Sequence, residues 1–113
     1  MTIRERIKTY QNEILAGNLQ PDRASEIMAE LSALIGNLND EITLRDMAYN
    51  EFLLECYDRE ATANRARIKA NTGEEYKAMR EARNAKELAV EMIRSLKYFL
   101  KAKEEERQVS RFQ

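Results

Sequence analysis

The sequence predicts an all-α fold: a short N-terminal helix, then a long antiparallel helical hairpin that dimerises into a coiled-coil-like helical bundle. Three observations carry this. Charged residues make up 35% and apolar residues 43% of a 113-residue chain with three glycines and one proline. That mixture is typical of long helices and short of the turn formers a sheet protein needs. Residues from Ala24 to Cys56 that can be buried return in alternating steps of four and three, the period of one helix face. A second such series runs from Ala78 to Phe99.

The length sets one domain, residues 1–113, as the expectation. The first helix is expected over about residues 2–17. Thr2 and Glu5 fit a capping box, in which each side chain satisfies a free backbone donor of the first turn. Ile3, Ile7, Tyr10 and Ile14 then fall on one face, and Gly17 stands where a left-handed C-terminal cap is wanted. Pro21 opens the second helix, where its missing N–H costs nothing, and Asp22 suits the positive end of the helix dipole.

This second helix is predicted to be long, over about residues 21–70. Its stripe is Ala24, Met28, Leu31, Ile35, Leu38, Ile42, Arg45, Tyr49, Phe52 and Cys56, widened at the start by Ile27 and Leu34. Gly36, Asn37, Asn39 and Asp40 together could bend or break it near 36–40. The rhythm passes through them without a change of phase, which favours a continuous helix. The turn is placed at Ala70–Gly73, with Thr72 and Glu75 as a second capping box. The last helix is expected over about residues 73–107. Ala78, Ala82, Ala85 and Ala89 on one face let backbones approach closely, and Met92, Leu96 and Phe99 thicken the core beyond them. The C-terminus is expected to fray.

At 1.5 Å per residue the long helix would measure about 70 Å, too much to bury its stripe inside a compact monomer. Two hairpins paired about a two-fold axis would cover it. The predicted seam comprises Met28, Leu31, Ile35, Leu38, Ile42, Tyr49 and Phe52 with Met92, Leu96 and Phe99. A break at Gly36 would instead permit a compact four-helix monomer.

With no histidine, His-based triads and His-containing zinc sites are excluded. The glycines are isolated, so there is no phosphate-binding loop. Glu51, Glu55 and Asp58 share one side of a helix, but the familiar two-metal bundle sites add Glu-x-x-His. No catalytic residue, cofactor or metal site is expected, and the chain is not expected to be an enzyme. Cys56 lies on the stripe and reads as a small hydrophobe, with a redox-sensitive thiol as the other reading. Arg45 interrupts the stripe and either sets register or extends to solvent.

The start, MTIRERIKTY, has no apolar run, so no signal peptide is expected. No stretch approaches about 18 apolar residues, so no membrane contact is expected. A single cysteine leaves no internal disulfide, and a cytoplasmic location is the expectation. The formal net charge is −1, yet residues 1–58 carry 5 bases against 11 acids and residues 59–113 carry 14 against 9. The halves either neutralise each other or expose a basic surface to an acidic partner. The candidate surface is Arg59, Arg65, Arg67, Lys69, Lys77, Arg80, Arg83 and Lys86, diluted by Glu60, Glu74, Glu75 and Glu81. Phosphate contact suits such a cluster. Stacking on single strands wants more aromatics than Tyr76.

The segments AELSALIGNLNDEI (Ala29–Ile42) and EARNAKELAVEMIRSLKYFLKAKEEER (Glu81–Arg107) resemble small helical proteins of unknown function encoded by bacteriophages and prophages. The resemblance implies a non-virion early protein of a phage-infected bacterial cell. Such a protein would be an accessory to recombination or replication, or an inhibitor of a host defence protein. The expected function is thus a non-enzymatic oligomeric interaction protein. A homodimer with a protein partner is expected, and nucleic-acid binding at the basic hairpin tip is the alternative.

Overall fold

The computed structural model describes residues 1–112, all of them in helices or their connections. In chain order these are α1 (Ile3–Leu15), α2 (Pro21–Arg59), α3 (Ala63–Asn71) and α4 (Glu74–Phe112). There is no strand among the described residues. The all-α class and the long helix pair are as the sequence predicts; α2 and α4 have 39 residues each.

α1 begins on the predicted capping box. The Thr2 hydroxyl accepts from Glu5 N at 3.2 Å, and the Glu5 carboxylate accepts from Thr2 N at 3.4 Å. It stops because Gly17 turns left-handed, at φ +83°, which only a residue without Cβ adopts freely. Pro21 is the first residue of α2, whose first turn closes on Gln20 O. Helix continues without interruption through Gly36 and Asn37.

Three boundaries differ from the expectation. α4 runs on to Phe112, where an end near residue 107 and a frayed C-terminus are predicted. The long helix ends at Arg59, not near residue 70. Glu60–Thr62 are irregular, and the Thr62 hydroxyl caps a separate short helix by accepting from Arg65 N at 3.2 Å. The second capping box does not form. Thr72 closes α3 instead, its hydroxyl donating to Lys69 O at 3.0 Å, and the first turn of α4 closes on Gly73 O. A threonine between two helices can serve either one, and here the end of α3 takes it.

The chain divides into two compact units. Unit 1 comprises Met1–Gly36 with Glu87 onward. Its buried residues are Ile7 of α1, Ala24, Ile27, Leu31 and Leu34 of α2, and Ala89, Met92 and Leu96 of α4. Each large aliphatic side chain so buried is worth about 1.5–3 kcal/mol. Arg23 ties α1 to α2: its guanidinium donates to both oxygens of Glu13 at 2.7 and 2.9 Å, and lies 5.9 Å from the Tyr10 ring centre. That fork holds the Glu13 carboxyl below the usual carboxylate range, while the hydrogen bond to Glu30, helped by burial, holds the Tyr10 phenol above its usual value.

Unit 2 is the contiguous stretch Asn37–Lys86: the second half of α2, all of α3 and the start of α4. Its buried residues are Leu38, Cys56, Ala66, Ala70, Ala82 and Ala85. Apart from Leu38 these are small, so backbones come close. Tyr49, Phe52 and Leu53 pack around the Cys56–Ala66–Ala70 cluster and fill the space the alanines leave.

The expected oligomer seam needs correction on this point. Leu31, Leu38, Met92 and Leu96 are 0, 0, 6 and 1% exposed within one chain. They are the chain's own core and have no surface left for a second copy. Met28, Ile35, Ile42, Tyr49, Phe52 and Phe99 keep partial exposure. The cause is a rotation of the buried line: Ala24, Ile27, Leu31, Leu34 and Leu38 form the centre of the α2 face, so Ile27 and Leu34 are its heart and not its margin.

Candidate interaction surface of unit 2

Every residue of the basic cluster belongs to unit 2 or is carried by its helices. Arg59 is in the last turn of α2; Arg65, Arg67 and Lys69 lie on α3; Lys77, Arg80, Arg83 and Lys86 lie on α4. The cluster was expected on the two arms of one turn. It is spread over three helices, because the chain turns twice, at Glu60–Thr62 and at Thr72–Gly73.

Two of the eight bases serve the fold. Arg83 Nη2 donates to Asp46 Oδ2 at 2.6 Å, fastening α4 to α2. Asp46 Oδ1 is buried without a partner, so the pair is only half of the bidentate arrangement arginine can make. Arg67 Nε donates to the Tyr57 hydroxyl at 3.1 Å, joining α3 to α2. Lys86 is half-buried, while Arg59, Arg65, Lys69, Lys77 and Arg80 are exposed. Arg65 and Lys69 line a shallow depression with Glu60, Ile68 and Thr72.

The aromatics of this unit are likewise engaged. The Tyr49 hydroxyl donates to Asn71 Oδ1, and its ring centre lies 5.7 Å from that of Tyr76 at an interplanar angle of 54°. Burial, with the neighbouring Tyr76, holds the Tyr49 phenol above its usual value. Tyr76, the one aromatic the basic segment offers for stacking, is half-buried against Tyr49. The three tyrosines thus bind α2, α3 and α4 together, a role for which no spacing rule gives a signal.

Arg45 was open between setting register and reaching solvent. It is exposed, with its Nε 3.8 Å from Glu41 Oε1 one turn back, a long and weak pairing on a solvated face. Cys56 is free and 3% exposed, packed as a small apolar residue. Glu51, Glu55 and Asp58 are exposed on α2, and among the described residues no three acidic or thiol side chains converge to hold a metal ion.

The unit also exposes large apolar side chains. Leu44, Met47 and Leu54 of α2 are 67, 56 and 64% exposed, and Ile68 of α3 is 66% exposed. Sequence reasoning missed all four as surface features. No described helix is long and apolar enough to cross a membrane. No protein-family model matches this chain, and neither does any curated protein or solved structure.

Proposed function

We propose that this chain is a non-enzymatic helical protein that acts by binding other macromolecules, and that it self-associates as a dimer. The observation that carries the reading is the set of four large apolar side chains left open on unit 2, Leu44, Met47, Leu54 and Ile68. Isolated exposed leucines are ordinary, but several on one small helical unit mark a contact surface. Sedimentation equilibrium across the micromolar range tests it. Concentration-dependent mass supports the dimer, and a monomer throughout refutes it.

A second reading rests on the exposed bases of α3 and α4. Arg65, Lys69, Lys77 and Arg80 are exposed, which suits phosphate contacts. The engaged Tyr49, Tyr57 and Tyr76 weigh against stacking on bases. Anisotropy with labelled single- and double-stranded DNA decides it. If about four phosphates are neutralised, affinity falls by roughly two orders of magnitude between 50 and 200 mM salt. No binding at low salt disposes of this reading. The resemblance to phage-encoded proteins adds a setting, an accessory of recombination or replication or an inhibitor of a host defence protein, which a pull-down from the infected host would test.

A further inference from the structure

The core side of α2 has a counterpart on its outer side. Asp40, Leu44, Met47, Glu51, Leu54 and Asp58 follow the same alternation of four and three. At about 100° per residue they fall within a sector roughly 80° wide, opposite Leu38, Tyr49, Phe52 and Cys56. All six are exposed. The ridge therefore alternates carboxylates with large apolar side chains and contains no base. Glu55 adds a fourth carboxylate at its edge, and the two bases of this half of α2 stand off the ridge, Arg45 periodic with the core side and Arg59 at the end of the helix.

This composition selects what can cover the ridge. Pairing it with the same ridge of another copy would set Asp40 against Asp58 in an antiparallel arrangement, or each acid against itself in a parallel one. Like charges directly opposed in a helix pair are destabilising. The occupant must present an apolar knob flanked by bases. α3 has that form. Ile68 lies on the side of α3 opposite the buried Ala66 and Ala70, with Arg65 one turn before it and Lys69 beside it, both exposed. Length agrees as well: nine residues of α3 span about 14 Å and Leu44 to Leu54 about 15 Å. A chain's own α3 cannot serve, because Ala66 and Ala70 pack with Cys56 on the core side of the same α2.

We propose that the Leu44–Met47–Leu54 ridge of one copy seats α3 of a second copy. Ile68 enters between Met47 and Leu54, and Arg65 and Lys69 meet Glu51 and its acidic neighbours. The inference rests on the self-association proposed above and names the surface that performs it.

Sedimentation equilibrium of the full chain, with circular dichroism to verify folding, tests it. Leu54→Glu and Ile68→Glu, both on exposed positions, should each weaken dimerisation at least about tenfold, the effect of losing a modest share of the contact energy. Arg65→Glu and Glu51→Arg should each weaken it, and the two together should restore it. A dimer indifferent to Leu54→Glu and Ile68→Glu, or a charge swap that fails to rescue, overturns this contact while leaving self-association standing. A monomeric wild type overturns both and leaves the ridge to a basic helix of another protein.

Discussion

Replacing Gly73 by alanine probes the tightest joint of unit 2. A Cβ at Gly73 would lie 2.8 Å from Phe52 Cε1, 3.2 Å from Glu75 Oε2 and 3.4 Å from Ala70 O. Non-bonded carbons settle at about 3.5–4.0 Å, so the ring edge would have to retreat by roughly 0.7–1.2 Å. The Glu75 carboxylate can swing aside at little cost. Phe52 cannot, because its ring packs against the Cys56–Ala66–Ala70 cluster. Overpacking of this kind costs about 1–3 kcal/mol. Gly73 has no positive φ, so alanine recovers about 0.4–1 kcal/mol by restricting the unfolded chain. The net loss is about 1–2 kcal/mol, a fall in Tm of about 4–8 °C for a chain of this size. Gly36→Ala supplies a control of opposite sign. Gly36 is helical with nothing within 4 Å of a built Cβ, so alanine there should stabilise by about 0.5–1 kcal/mol. Thermal and urea unfolding followed by circular dichroism measure both. A Gly73→Ala protein that melts at or above wild type would refute the reasoning, since the Phe52 ring would then be free to move.

Thr62→Ala removes the cap of α3 and should cost about 0.5–2 kcal/mol, with faster amide hydrogen exchange concentrated in Ala63–Asn71; unchanged exchange there would show that the cap is idle. Glu13→Gln should flatten the acid side of the stability profile. The folded-state carboxyl is lowered from its ordinary value of 4.5, so its contribution is complete above that value and is lost as pH falls through the depressed one. The pair is more than a third exposed, so the effect is modest. Identical pH–melting curves for the two proteins would remove the Arg23 latch from the account.

Much of the helix plan is written in short-range chemistry. The Thr2–Glu5 box, the left-handed Gly17 and Pro21 at the first turn of α2 are local devices, and each appears where its residues stand. The four-and-three rhythm likewise carried α2 through Gly36 and Asn37. The end of α2 was not legible, because Glu60, Ala61 and Thr62 all tolerate helix and only the Thr62 hydroxyl marks the break. Thr72 misled for a related reason: one hydroxyl had two helix ends within reach. The basic cluster was visible in the distribution of charge along the chain. The outer ridge of α2 was hidden because Asp40, Glu51 and Asp58 break up its leucines, so that it reads as a solvated face until exposures are known.

Unit 2 is made of one uninterrupted stretch of chain, whereas unit 1 joins two segments separated by all of it. The order of assembly follows. Contacts inside Asn37–Lys86 close short loops at small entropic cost, and contacts between Met1–Gly36 and Glu87 onward must wait for a much longer one. Once the inner stretch has collapsed, that long loop is no longer a free coil but a folded insert, and most of the entropy of closing it has already been spent. Folding from the middle outward is the order that these loop lengths favour.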